Sequence, residues 1–357
     1  MFDTLPTEII THIYLSLPSI SATLALASTC HRFHNVFHTS KRLLILSEAA
    51  ESEFGPVDDI IQLLTHNYSQ AAHVHRTAPM SDALIQQVVR VGRVARAFET
   101  IYPFKKWKTD FANRRLLKPN ECYVFRRALY RRWLFDEAFH ARFYDRTCRS
   151  VPRYVHDRAA LLHNYSTVEL AELLDVHRML RDVVANNICP SNGKIRQKFH
   201  KRHPESNHQL LLNVHLDCAP PAASSFARDG WFDESLIASA NYHARLQPSR
   251  WHEPGAEGWG DDISHYYVVE DMMKLNPEQI LFLRDRCLVK SEVEAYLREH
   301  CGDWFVNNGE TLSETVGFVV KQRGGEMEAM KLAIEGGEMG VAVIGGHDWS
   351  GISCSTH

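Results

Sequence analysis

The sequence predicts an all-α protein, with an N-terminal three-helix module followed by an irregular multi-helix domain. Three observations lead there. Period-two alternation of apolar and polar residues is almost absent. Apolar residues instead recur three and four apart in run after run. Several runs begin on helix-start signals, among them Ser19, Ser81 and Asn276-Pro277. The 357 residues are 45% hydrophobic and 23% charged, enough to bury a core. No stretch approaches the roughly 20 apolar residues that span a bilayer, so no membrane association is expected. Asp3 and Glu8 sit where a signal peptide would be basic, and the expected location is cytoplasmic and/or nuclear. The eight cysteines are scattered without a CxxC pair, as in a reduced compartment.

The elements follow in order. Residues 5–17 read as a helix in which Ile9, Ile10, Ile13, Tyr14 and Leu17 make one stripe. Pro6 suits its first turn, Glu8 its positive end, and Pro18 stops it. Ser19 and Ser21 are caps for a second element. There Ile20, Leu24 and Ala27 form one stripe and Leu26, Cys30, Phe33 and Phe37 another, which implies two partners. A soft boundary is expected at 48–59, where acidic residues and Gly55-Pro56 follow. Helices are expected over 57–68, over 80–101 with Ser81 as cap, as one or two over 118–146, and over 167–188. The section 189–262 is irregular and rich in His and Pro, with HQLLLNVHL and SLIASANYHARL as short helical pieces. SHYYVVEDMMKL, the run entered through Asn276-Pro277, and SEVEAYLREHCGDWF complete a helical body over 57–322. The Gly-rich stretch 324–357 is expected to be mostly disordered.

Charge is unevenly spread. Residues 90–158 hold 18 Lys and Arg against 7 Asp and Glu, and residues 217–357 hold 11 against 23. Pairing between these two regions is the simpler expectation. The sharper one is a surface for an acidic partner, carried by Arg126, Arg127, Arg131 and Arg132, which flank the apolar face Phe125, Ala128, Leu129 and Trp133. Little aromatic interleaving accompanies these arginines, so nucleic acid is not the expected ligand.

Catalytic signals are weak. GVAVIGGHDWSGIS is similar to the nucleophile elbow of the hydrolase family that includes epoxide hydrolases, with Asp348 in the nucleophile's place. That chemistry needs a His and an acid placed later in the chain on a parallel sheet, but only nine residues follow Asp348 and no βα pattern precedes it. GGEMG lacks the Lys-Ser/Thr of a phosphate loop. Cys189, His200, His203, His208 and Cys218 could be drawn together around zinc, but the two cysteines are unpaired in sequence, unlike structural zinc sites. No metal, no cofactor and no enzymatic activity are expected.

The first 40 residues resemble an F-box. The matching residues are Leu5-Pro6-Thr7-Glu8, Ile9, Ile13, Leu17, Leu24, then Ser28, Thr29, Cys30, His31, Arg32 and Phe33; Ala25-Leu26-Ala27 is smaller and smoother than is usual in that family. FRRALYRRWLF and YYVVEDMMKLNPEQILFL are similar to stretches of the helical bodies of fungal F-box proteins. The resemblance implies a module over 1–45 that binds a Skp-type adaptor and, through it, a cullin and the ubiquitin-conjugating machinery. Leu5, Pro6, Ile9, Ile13, Leu17, Leu24, Cys30 and Phe33 would then face the adaptor or hold the module together. The body would bind an unknown target protein, and catalysis would belong to the partners. Physics agrees with the need for a partner, because a 40-residue helical unit is too small to stand well by itself. The alternative expectation is a helical scaffold or nucleic-acid-associated protein whose N-terminal hairpin is only structural.

Overall fold

The computed structural model describes residues 5–140, 146–195, 259, 265–301 and 309–344. Among these residues the secondary structure is helical, and the one β contact is an isolated bridge between Ser191 and Trp259. The chain forms two compact units. The first comprises 1–139, 152–179 and 312–357, and the second 140–151 and 180–311.

In the first unit, α1 (Thr7–Leu15), α2 (Ile20–Ala27) and α3 (His31–Phe37) are short helices placed by their punctuation. Pro6 lies at the N-cap of α1 rather than inside it. Ser19 caps α2, its hydroxyl accepting the Ala22 N–H at 3.1 Å. The helices close around Tyr14, whose hydroxyl donates to the Phe33 carbonyl at 3.0 Å and whose ring meets Phe33 edge-on and Phe37 at 5.8 Å. The Arg32 guanidinium donates to the Leu5 carbonyl and ties α3 to the start of the chain.

The expected boundary at 48–59 is not there. Helix α4 (Arg42–Phe54) packs on α1 and α2, and it packs most extensively on α6 (Asp82–Lys106). Ile45, Leu46 and Ile85 therefore join Ile10, Tyr14, Phe33 and Phe37 in one core. A separate module over 1–45 beside a body over 57–322 is thus corrected: three helices bury too little apolar surface, and α4 with α6 supplies the rest. Gly92 makes the α4–α6 approach possible, since a Cβ there would lie 2.3 Å from the Phe54 ring. Ser81 caps α6 as expected, accepting the Leu84 N–H.

Helix α5 (Val57–Leu64) packs on α6 and on α7 (Pro119–Phe139), which is one helix. Tyr130 of α7 donates to the Phe54 carbonyl at 2.8 Å. Next come α8 (Pro152–His163) and α9 (Thr167–Val183), the latter ending in a π turn over Val184–Ile188. In the second unit, α10 (His265–Met272), α11 (Pro277–Arg286) and α12 (Lys290–Cys301) contribute Val268, Met272, Ile280, Leu283, Val293 and Leu297 to a core that includes Val184, Ile188 and Cys189. The expected start at Asn276 is a full capping box with Gln279.

The chain returns to the first unit through α13 (Leu312–Gln322), which packs on α8 and on α14 (Met327–Glu335). Here the expected disorder of 324–357 is corrected over 324–344. Met330 and Ile334 are buried. Asp175 then pins the segment after α14. Its carboxylate accepts the Tyr102 hydroxyl at 2.6 Å, the Lys106 ammonium at 3.0 Å and the Val341 N–H at 3.1 Å. Lys106 also donates to the Ile334 carbonyl at 2.8 Å. Gly340, at φ +107°, is shaped for this contact, because a Cβ would meet Asp175 Oδ2 at 2.5 Å. Gly340 thus fits the chain around a carboxylate. The two helical pieces expected within 189–262, and Asp348, lie outside the described residues.

Candidate docking surface

Two surfaces were expected to meet partners, and the structure treats them differently. The first is the N-terminal face. The single stripe expected on α1 divides in two. Ile10 and Tyr14 are fully buried, while Ile9 is 45% exposed, Pro6 is exposed and Ile13 is half-buried. The split follows from the 100° turn between neighbours: Ile9 and Ile10 cannot both point at α3 and α4. On α2, Leu24 is 49% exposed, and on α4 Leu44 is equally open. Leu5, Leu17 and Cys30 are half-buried and pack against the core, and Phe33 is buried in it. The eight N-terminal residues therefore separate by role. Phe33 holds the helices together, Leu5, Leu17 and Cys30 border its core, and Pro6, Ile9, Ile13 and Leu24 present apolar surface to solvent. Leu44 was missed because no helix was expected over 42–54, where a boundary was placed instead.

The second expected surface is the arginine face of α7, and here the expectation is corrected. Arg132 is fully buried and ion-paired with Asp136 one turn on. Arg126 pairs with Glu99 at 2.7 Å and donates to the Glu53 carbonyl at 2.8 Å. Arg127 pairs with Glu172 at 2.6 Å. Arg131 bridges Asp59 at 3.0 Å and Glu169 at 2.6 Å, with its guanidinium 4.4 Å from the centre of the Tyr165 ring. Arg126, Arg127 and Arg131 tie α7 to neighbouring helices, and Arg132 is buried beside Asp136 of its own helix. The acids that Arg126, Arg127 and Arg131 use lie between Asp59 and Glu172, so the expected pairing with the acidic region 217–357 is corrected for these three. Acids from 45 residues ahead to 72 behind could not be chosen from charge counts.

Beside this network lies a cleft of 380 Å³ lined by residues that include Asp58, Asp59, His73, His75, Tyr123 and Arg131. Gln62 fastens its rim, donating to the Val74 carbonyl at 2.6 Å and accepting the Arg76 N–H at 2.8 Å. Burial pushes the Asp59 carboxyl above the usual range, although the nearby Arg131 pulls it down. Burial likewise raises Glu172 against Arg127. For Glu169 burial is outweighed by the Ser166 N–H, Arg131 and Arg127, and its carboxyl is held low. The arginines thus oppose the penalty that burial places on these carboxylates, and they prevail only at Glu169.

Of the residues considered for zinc, Cys189 is a buried thiol whose pKa is raised by burial, in an apolar setting suited to packing. His200, His203, His208 and Cys218 lie outside the described residues. Among the described residues no group of three or more His, Cys, Asp or Glu side chains could hold a metal ion, and no helix is long and apolar enough to cross a membrane. Compared with known proteins, the chain matches no family model, no curated protein and no solved structure.

Proposed function

We propose that the chain is a non-catalytic substrate receptor of a cullin-based ubiquitin ligase, binding a Skp-type adaptor through α1–α3 and a target protein through its helical body. The reading rests on the N-terminal residue pattern. The observation that carries it is the exposure of Pro6, Ile9 and Leu24, with Ile13 half-open, on helices whose core-facing residues are Ile10 and Tyr14 on α1 and Thr23 and Ala27 on α2. Helix α4 already covers part of the apolar surface that a 40-residue unit would leave open. What remains open is surface the fold itself does not need. A partner helix laid on it would bury apolar area at about 25 cal/mol per Å². Holding a target near a ubiquitin carrier is a proximity role and asks no chemistry of this chain.

The test is capture of the intact chain by purified Skp-type adaptor, with Ile9→Ser/Leu24→Ser beside it. Both side chains are exposed, so the variant keeps its fold. Removing two apolar anchors cuts binding at least about tenfold. An intact chain that fails to bind adaptor, or a folded variant that binds as well as wild type, overturns the proposal.

A further inference from the structure

The cleft beside the α7 arginines carries groups that neither the core nor the proposed adaptor contact uses. Its 380 Å³ fall within the roughly 300–1,000 Å³ of small-ligand sites. Asp58 and Asp59 come from the first turn of α5, Tyr123 and Arg131 from α7, and His73 from the loop that joins α5 to α6. All of them lie in the first unit. The rim is fixed before any ligand arrives. Asn164 donates to the His73 carbonyl at 2.8 Å, and Gln62 ties the same loop to α5 through Val74 and Arg76. A wall ordered in advance lowers the entropy lost on binding.

The polar groups of the lining divide into those already engaged and those left over. Arg127 is held by Glu172, and Arg131 by Asp59 and Glu169. Asp58 is exposed and Tyr123 is 40% exposed. Among the described residues no hydrogen bond or ion pair reaches the Asp58 carboxylate or the Tyr123 hydroxyl. An acid in the first turn of a helix is ordinary, because that end is positive. The helix end does not account for an open aromatic ring on the same cleft. Burial raises the Tyr123 phenol, and Glu51, Asp59 and Asp58 add to the rise against the opposing pull of Arg127. The field at the ring therefore favours positive charge.

We propose that this cleft binds an organic cation, an alkylguanidinium or alkylammonium group, with its charged head against the Asp58 carboxylate and the Tyr123 ring. A carboxylate gives such a head charge-assisted hydrogen bonds, and an aromatic face gives it cation–π attraction. An anion would have to take Arg127 and Arg131 from the carboxylates that already hold them. Two sources share this chemistry, a Lys or Arg side chain of a target protein and a free small amine. The inference does not depend on adaptor binding, whose residues are on α1 and α2.

The experiment is fluorescence anisotropy of a labelled Gly-Gly-Arg-Gly-Gly peptide titrated with the full chain. The same peptide with citrulline, which keeps the shape of arginine without its charge, and with phosphoserine in place of arginine serve as comparisons. The arginine peptide binds and the other two bind at least about tenfold more weakly. Asp58→Asn and Tyr123→Leu each weaken binding of the arginine peptide roughly fivefold. Asp58 is exposed, so Asp58→Asn keeps the fold and its result stands even where Tyr123→Leu disturbs α7. Displacement of the peptide by agmatine at concentrations equal to those of unlabelled peptide assigns the site to free amines, and displacement by unlabelled peptide alone assigns it to a protein side chain. No binding of the arginine peptide, equal binding of the citrulline peptide, tighter binding of the phosphoserine peptide, or an Asp58→Asn chain that binds like wild type overturns the proposal. Adaptor capture is a separate readout, so the failure of either proposal is distinguishable from that of the other.

Discussion

Helix α1 and helix α7 look alike in the sequence, each an apolar stripe with functional side chains at its edge, yet the fold uses them in opposite ways. On α1 the second apolar edge, Pro6, Ile9 and Ile13, is left open or half-open. On α7 each of the four arginines at the edge is matched by an acid of the same unit. The difference lies in reach and in the penalty for failure. A buried guanidinium without a carboxylate is severely destabilising, so a stable fold brings acids to it from wherever the chain supplies them. An exposed isoleucine carries only a modest penalty and can wait for a partner. Apolar exposure is therefore a better guide to docking on this molecule than local excess of charge.

The largest break in that comparison is Arg132→Ala, which takes the buried guanidinium away from Asp136. It should lower stability by about 3–5 kcal/mol, read as a collapse of the denaturation midpoint. Arg132→Met/Asp136→Leu, which removes both charges, should recover much of that loss. Next is Gly92→Ala, where the Phe54 ring has no room to yield between α4 and α6. About 1–3 kcal/mol is expected in urea unfolding, since the new methyl overpacks the contact.

Arg131→Leu should lower stability by about 1–3 kcal/mol, and its effect should depend on pH. Asp59 titrates above its unfolded value because of burial, so its contribution is largest in acid and is lost as pH rises through the folded pKa. Without Arg131, burial acts on Asp59 with less opposition and raises the carboxyl further. The gap between wild type and variant should therefore widen from acidic to neutral pH in paired urea titrations, and a gap that narrows would contradict this account. The smallest effect on folding belongs to Ile9→Ser/Leu24→Ser, within about 0.5 kcal/mol of wild type by thermal unfolding. That variant sharpens the comparison, since it should leave stability intact while cutting the proposed adaptor binding at least about tenfold.

The stretch from residue 324 to residue 344 shows why glycine content misled. Glycine signals freedom in an unfolded chain, but Gly340 is needed where the backbone meets Asp175. The apolar spacing of Met327, Met330 and Ile334 was present in the sequence and gave the better signal for α14.

By itself the sequence determined that the chain is helical and where several helices begin. Caps such as Ser19, Ser81 and the Asn276–Gln279 box are short-range hydrogen bonds between residues three apart, so the information is local. Tertiary structure alone decided which edge of α1 is buried, that α4 joins the N-terminal helices to α6, and which acid each arginine meets. A helical period fixes that a face is apolar without saying what covers it, and a charge finds its partner through space: Asp59 lies 72 residues before Arg131 and Glu169 lies 38 after it.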